Sequence, residues 1–273
     1  MISNDLGATA LALAAGFIAM AALMLLGLRI AVSQHKLTVV DTMWGLGFVL
    51  IAVTSAAVAF AGSGEPAIRW LLLAMVTIWG GRLAWHLHTR NSKADEDPRY
   101  ADLASRSSGS FGQIALRRVF VPQGVSMWLV ATPVMVGVNN ERLVGWLTGL
   151  GVAVWTIGLF FEAVGDWQLA RFKADPANKG QLMDQGLWHY TRHPNYFGDS
   201  CVWWGIWLVA ASSWVGLATV IGPIAMTIFL TKVTGAALNE KGMSQSKPGY
   251  AEYVRRTSGF IPLPPKKSWP LSC

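Results

Sequence analysis

Seven apolar runs take up most of this chain: Leu6–Ile30, Met43–Ala61, Ile68–Leu87, Val119–Val138, Leu143–Phe161, Gly198–Ala211 and Val215–Thr234. A helix needs about 20 apolar residues to cross the hydrocarbon core of a bilayer. Most of the runs reach that length, and the last two are divided only by the break at Ser212-Ser213-Trp214. The rest of the composition agrees. Of 273 residues 53% are hydrophobic and only 14% charged, against about 25% charged in an ordinary soluble domain. That balance excludes a cytosolic globular enzyme, a disordered chain and a fibrous repeat. The predicted fold class is an all-α membrane protein of about seven transmembrane helices.

The basic residues predict its orientation. The net charge is +7, with 22 Lys and Arg. Only Arg69 and Arg142 fall in the connections after the second, fourth and sixth runs, which leaves 20 of the 22 on the other side. The positive-inside rule then puts the N-terminus outside and the C-terminus in the cytoplasm, which requires an odd number of spans. Trp70, Trp146 and Trp214 lie near span starts, where an interfacial ring is favourable. The opening MISNDLG lacks the basic region of a cleavable signal, so the first run is expected to be a retained helix. Cys201 and Cys273 do not suggest a disulfide framework. The expected setting is a multi-pass membrane protein. It would be monomeric, with the bilayer and a lipid-like small molecule as partners and no nucleic acid.

Charged groups at helix ends in so charge-poor a chain ask for a function. Asp41, Arg82, Glu162, Asp166, Asp199, Lys232 and Glu240 all fall at predicted cytoplasmic ends. Glu162 and Asp166 are four residues apart and stack on one helical face. Arg171, Lys173 and Lys179 follow, then Arg192-His193-Pro194-Asn195-Tyr196. Pro194 restrains His193 to an extended conformation and can open a helix. Arg192 and His193 then precede a helix N-terminus, which favours an anion, with Asn195 and Asp199 on one face of its first turns. Acids that accept hydroxyl protons beside bases that hold phosphate suit a nucleotide. His86 and His88 point to nearly opposite faces and lack a third ligand, so no metal site is expected. Gly80-Gly81 inside a span reads as a close helix contact.

The run GLWHYTRHPNYFGD, the preceding ExxxDxQLxRFK and the tail KPGYAEYVRRTSGFIP resemble the bacterial branch of the steroid 5α-reductase-like membrane proteins. DTMWG at Asp41 and WGGRL at Trp79 are similar to that branch too. The resemblance implies one integral membrane domain over residues 1–273, with substrate-side helices over about 1–138 and a cofactor half over about 143–273. It implies NADPH bound from the cytoplasm and reduction of a carbon–carbon double bond conjugated to a carbonyl. By motif match the cofactor contacts are Asp166, Asn195 and Asp199, with Glu162 and Trp203 beside them. The phosphates would meet Arg171, Lys173, Arg192, His193 and the basic loop Arg90, Lys93 and Arg99, with Tyr196, Glu240 and Tyr250 completing the set.

The substrate end departs from the family. Steroid reductases hold the ketone with a Gln-Glu pair and a Tyr, whereas here the second helix offers Asp41 alone, Trp79 stands where the Tyr is expected, and no Tyr precedes Tyr100. An isoprenoid or fatty-acyl enone fits as well as a steroid. The oxygen of the reacting carbonyl needs a donor as charge develops on it. Asp41 and Arg82 are the candidates, with Trp44 and Trp79 flanking a flat molecule; alternatively Asp41 and Arg82 form a structural ion pair. Two rivals stand beside the reductase. Isoprenylcysteine carboxyl methyltransferases resemble this chain in RHPNY and the tail and bind S-adenosylmethionine. A non-catalytic lipid-binding protein would account for the missing Tyr.

Overall fold

The computed structural model describes residues 5–60, 62, 64–92, 96–233, 240 and 247–266. The described residues are helical wherever they are regular, apart from one isolated bridge between Thr191 and Ser258. The chain divides into two compact units: 1–151 with 206–222, and 152–205 with 223–273. Among the described residues six helices are long and apolar enough to cross a membrane: α1 (Leu6–Gln34), α2 (Val39–Ala59), α3 (Pro66–Asn91), α5 (Phe111–Gly137), α6 (Gly145–Ala174) and α8 (Trp214–Val233). The expected sixth span forms α7, Pro194–Ala210, whose 17 residues reach about 26 Å at 1.5 Å per residue. Among the described residues the short α-helices α4 (Pro98–Ser105) and α9 (Tyr250–Arg256) lie outside the spans.

Local chemistry sets the helix ends of the first unit. Asp5 caps α1 by accepting from Ala8 N at 2.9 Å, and α1 ends at His35 in the left-handed region. Glu65 precedes Pro66 at the start of α3 and accepts from Ala67 N, the pairing of cap and first-turn proline that suits a helix start. Helices α2 and α3 cross where glycine faces glycine. A Cβ on Gly45 would stand 2.5 Å from Gly80 O, and one on Gly80 would stand 2.8 Å from Gly45 O. Gly81 faces open space, so Gly80 alone makes the close contact. Arg69, one of the two cations away from the basic side, is buried and donates to Val138 O at 3.1 Å and Gly62 O at 3.2 Å. Asn140 donates to Ala210 O and Ser212 Oγ at 2.8 Å each and accepts from Ser213 Oγ at 2.7 Å. Ser213 also accepts from Gly216 N and so caps α8, which is how the SSW break starts a new helix.

In the second unit α6 continues well past the end of its apolar run at Phe161, to Ala174. Glu162 and Asp166 therefore lie inside the helix and are buried. Glycines again allow the approach: a Cβ on Gly158 would meet Gly198 O at 2.6 Å, and one on Gly198 would meet Glu162 N at 2.4 Å. Gly165 faces Pro194 and Asn195 N, both at 3.2 Å. Three small residues thus bring the backbone of α7 against the face of α6 that carries the two acids.

Candidate functional site

The second unit gathers most of the expected cofactor residues. The loop before α7 is held by the chain that follows α9. Arg192 N donates to Ser258 O at 2.9 Å, and Thr191 Oγ1 donates to Phe260 O at 2.8 Å. Tyr253 Oη donates to Trp188 O at 2.5 Å, and Trp188 Nε1 donates to Gly165 O at 3.1 Å. Arg192 is thereby held in place. Its Nε donates to Glu240 Oε1 at 2.9 Å, and its Nη1 reaches Thr257 O at 2.7 Å and Val254 O at 3.3 Å. His193 Nε2 shares the same Glu240 oxygen at 3.0 Å, and its ring stacks on Tyr196 with centroids 5.4 Å apart. Tyr250 is buried beside Arg192 and Glu240.

The charges of this hub follow from that geometry. Burial pushes the His193 imidazole below its ordinary value, partly opposed by Glu240, so at neutral pH it is uncharged. Burial alone would raise the Glu240 carboxyl, but hydrogen bonds from Arg192 and His193 hold it below the usual range. Burial raises the Tyr250 phenol, which stays protonated. Much of the Arg192 fork is committed to Glu240 and two carbonyls, so in this arrangement Arg192 clamps the tail more than it offers charge to an anion.

A second set lies on the facing surfaces of α6 and α7. Asn195 Nδ2 donates to Asp166 Oδ1 at 3.0 Å, while Asn195 Oδ1 accepts from Tyr196 N at 3.1 Å. Glu162, Asp199 and Trp203 are all buried. Lys173 is eleven residues from Glu162, about three full turns, and shares its face. Arg171 does not. Nine residues from Glu162 is about half a turn of azimuth, so Arg171 projects from the opposite side of α6, with its guanidinium 5.6 Å from the exposed Trp167 ring. Arg171 and Asp166 thus stand about 140° apart around α6.

The first unit holds a separate cluster where α2 begins. Glu96 accepts from Thr38 N at 3.0 Å, and also from Leu37 N and Thr38 Oγ1. This fastens the segment before α4 to the start of α2. Tyr100 Oη then donates to Asp41 Oδ1 at 2.8 Å, Asn91 Nδ2 donates to Asp41 Oδ2 at 3.2 Å, and Arg90 Nη2 stands 3.5 Å from the same oxygen. Arg99 is forked onto Asp97 at 3.0 and 2.8 Å. Burial first, and then the Asp41 charge, raises the Tyr100 phenol well above its ordinary value. The basic groups acting on Asp41 are Arg90 and Arg99, in place of the expected Arg82. Trp79, expected to flank a substrate, is wholly buried against Phe48, whose ring also meets Trp44. Lys93 lies outside the described residues, as does Cys273.

Tyr100 and Asn91 escaped the sequence reading. Tyr100 stands 59 residues from Asp41 in sequence, and no spacing rule joins a residue after the third helix to one at the start of the second. Glu96, 58 residues from Thr38, escaped for the same reason. The fastening of Thr191 to Phe260 is likewise a long-range return of the tail.

The profile of the family described as "Protein of unknown function (DUF1295)" matches residues 28–257, a stretch that includes Asp41, Tyr100, the Arg192 hub and Tyr250. Steroid 5-alpha-reductase DET2 of Gossypium hirsutum is 31% identical over 78 residues, which is 29% of this chain and 30% of that protein. The chain therefore matches less than a third of that relative's length. No solved structure matches. With a profile match over most of its length, the chain belongs to the DUF1295 family, and a 78-residue part of it is similar to a steroid 5-alpha-reductase.

Proposed function

We propose that this protein is an NADPH-dependent membrane reductase of a conjugated carbon–carbon double bond in a lipid, isoprenoid or steroid. We place it in the bacterial inner membrane with seven spans, α7 being the seventh, the N-terminus outside and the C-terminus cytoplasmic. The observation that carries the reading is the pair of buried Asp166 and half-buried Asn195, set between two helices whose glycines bring them together. A carboxylate, an amide and further buried acids suit the hydroxyls and carboxamide of a nicotinamide nucleotide. Trp203 supplies an aromatic face, and Lys173 on the Glu162 face supplies charge for phosphate. The residues fit the cofactor, and Arg171 is left out of the set. When bound, NADPH supplies the hydride.

The chain's own part in the chemistry is to bind, orient and hold a proton. Asp166 and Asn195 orient the nucleotide, and neutral His193 with Glu240 closes the cytoplasmic rim. In the first unit, Tyr100 is the proton-holding group. Its phenol is protonated at neutral pH and donates to Asp41, which can re-orient it as charge develops on a substrate oxygen. Asp41 is then a positioning acid and Arg90 its counter-charge.

The rival reading, a methyltransferase using S-adenosylmethionine, draws support from the pairing of Arg192 and His193 with Glu240 in the tail, because those are the segments it shares. Thermal unfolding of the purified protein with NADPH, NADH or S-adenosylmethionine separates them. NADPH alone should raise the midpoint, and stabilisation by S-adenosylmethionine without NADPH would transfer the assignment to the methyltransferase.

A further inference from the structure

We propose that the outward face of α6 is a binding site for an anionic phospholipid, separate from the nucleotide site. The headgroup would sit in a groove at the end of the helix and an acyl chain along the apolar stripe above it. The groove has a volume of about 330 Å³ and is lined by Trp167, Gln168, Arg171, Phe172 and Asp175 among others. Three observations point to a lipid.

The first is a continuous surface. Ile157, Phe160 and Trp167 are 50%, 54% and 57% exposed. Spaced three and seven residues apart, they share one side of a helix long and apolar enough to cross a membrane. Arg171, four residues after Trp167, extends the same side past the apolar stretch. An indole followed by a cation is the order that an acyl region, an interface and a charged headgroup would meet along the helix.

The second is charge. Arg171 stands over the Trp167 ring, and among the described residues no carboxylate lies within ion-pair distance of it. Asp175 at the rim has its Oδ1 occupied as a cap, accepting from Ala177 N at 2.9 Å. Gln168 uses its carbonyl to accept from Leu187 N at 3.0 Å, which leaves its amide N–H groups to face a ligand oxygen. A guanidinium flanked by amide donors matches a phosphodiester.

The third is the azimuth. Arg171 projects about half a turn away from Glu162 and roughly 140° from Asp166, so an anion held there does not share the face that carries the Asp166–Asn195 pair. Gly186 also lines the groove, with φ of 59° in the left-handed region that favours glycine.

The test uses the full chain in nanodiscs of phosphatidylcholine, with or without a minor fraction of phosphatidylglycerol, read by native mass spectrometry of retained lipid and by thermal unfolding. The wild type should retain phosphatidylglycerol over phosphatidylcholine by about fivefold, the scale of one basic group at an anionic surface. Arg171→Gln should abolish the preference, and Lys173→Gln, on the opposite face, should keep it. Absence of a preference in the wild type, its survival in Arg171→Gln, or equal loss in both variants would overturn the proposal. So would equal stabilisation by inorganic phosphate in phosphatidylcholine discs, which would mark a free-anion site.

Discussion

Each unit fastens a distant segment onto the end of a membrane helix through a carboxylate, and the two carboxylates are set up for different tasks. Glu240 is met by an arginine and a histidine on one oxygen, and the Arg192 that holds it also grips two carbonyls of the tail. Asp41 is met by a phenol, an amide and, at 3.5 Å, a half-exposed arginine. The Glu240 arrangement resists change of charge, because two donors hold the carboxyl ionised. At Asp41 the closest donor is a group that can itself release a proton. A firmly paired hub suits holding a cofactor, and a softer acid–phenol couple suits handling a proton.

The strongest way to break the contrast is to remove the phenol. Tyr100→Phe should slow turnover by roughly 10²–10⁴-fold, the range for a lost general acid, with NADPH affinity held. Asp41→Asn should slow turnover within the same range. If Tyr100→Phe turns over like wild type, the proton role leaves this cluster.

The hub should answer in stability. Arg192→Met leaves Glu240 with His193 alone and takes a donor from two carbonyls, and it should cost about 3 kcal/mol in chemical denaturation, the scale for breaking a partly buried ion pair. The expected readout is early unfolding of the second unit, seen as loss of hydrogen-exchange protection near Tyr253. Undiminished protection there would make the clamp ornamental.

How far each unit was legible in the sequence follows the same divide. RHPNY is one local run and the steric effect of Pro194 on His193 acts between neighbours, so the start of α7 could be read without coordinates, whereas the partners of Arg192 lie 48 to 65 residues away and could not. The Glu162–Asp166 face was legible from a spacing of four. Tyr100 was not, because its meeting with Asp41 depends on how the segment after α3 returns to α2, and that path is set by the Glu96 cap and by the Gly45–Gly80 crossing. The end of α6 lies beyond the apolar run because Glu162 breaks that run but not the helix. The packing of Trp79 on Phe48 was not legible either, because an indole in an apolar span serves packing as readily as binding.

A smaller effect should come from pH. His193 and Glu240 both have folded values below their ordinary ones. For each group the unfolded chain then binds more protons as pH falls, so the stability it contributes is present above its ordinary value and is lost as pH drops through its folded one. Stability of the second unit should decline first just below the ordinary histidine range, about pH 6.5, and again below the ordinary glutamate range, about pH 4.3. In His193→Gln the first step should vanish and the second remain. A first step that persists there would assign it to another group.

The most direct test of the central claim is NADPH binding to the purified wild type and to Asn195→Ala, by calorimetry, with S-adenosylmethionine as the competing ligand. NADPH should bind the wild type, and Asn195→Ala should weaken it by about 1–3 kcal/mol, the cost of leaving Asp166 without its donor. Binding of S-adenosylmethionine with none of NADPH, or NADPH binding that ignores Asn195→Ala, would contradict the account.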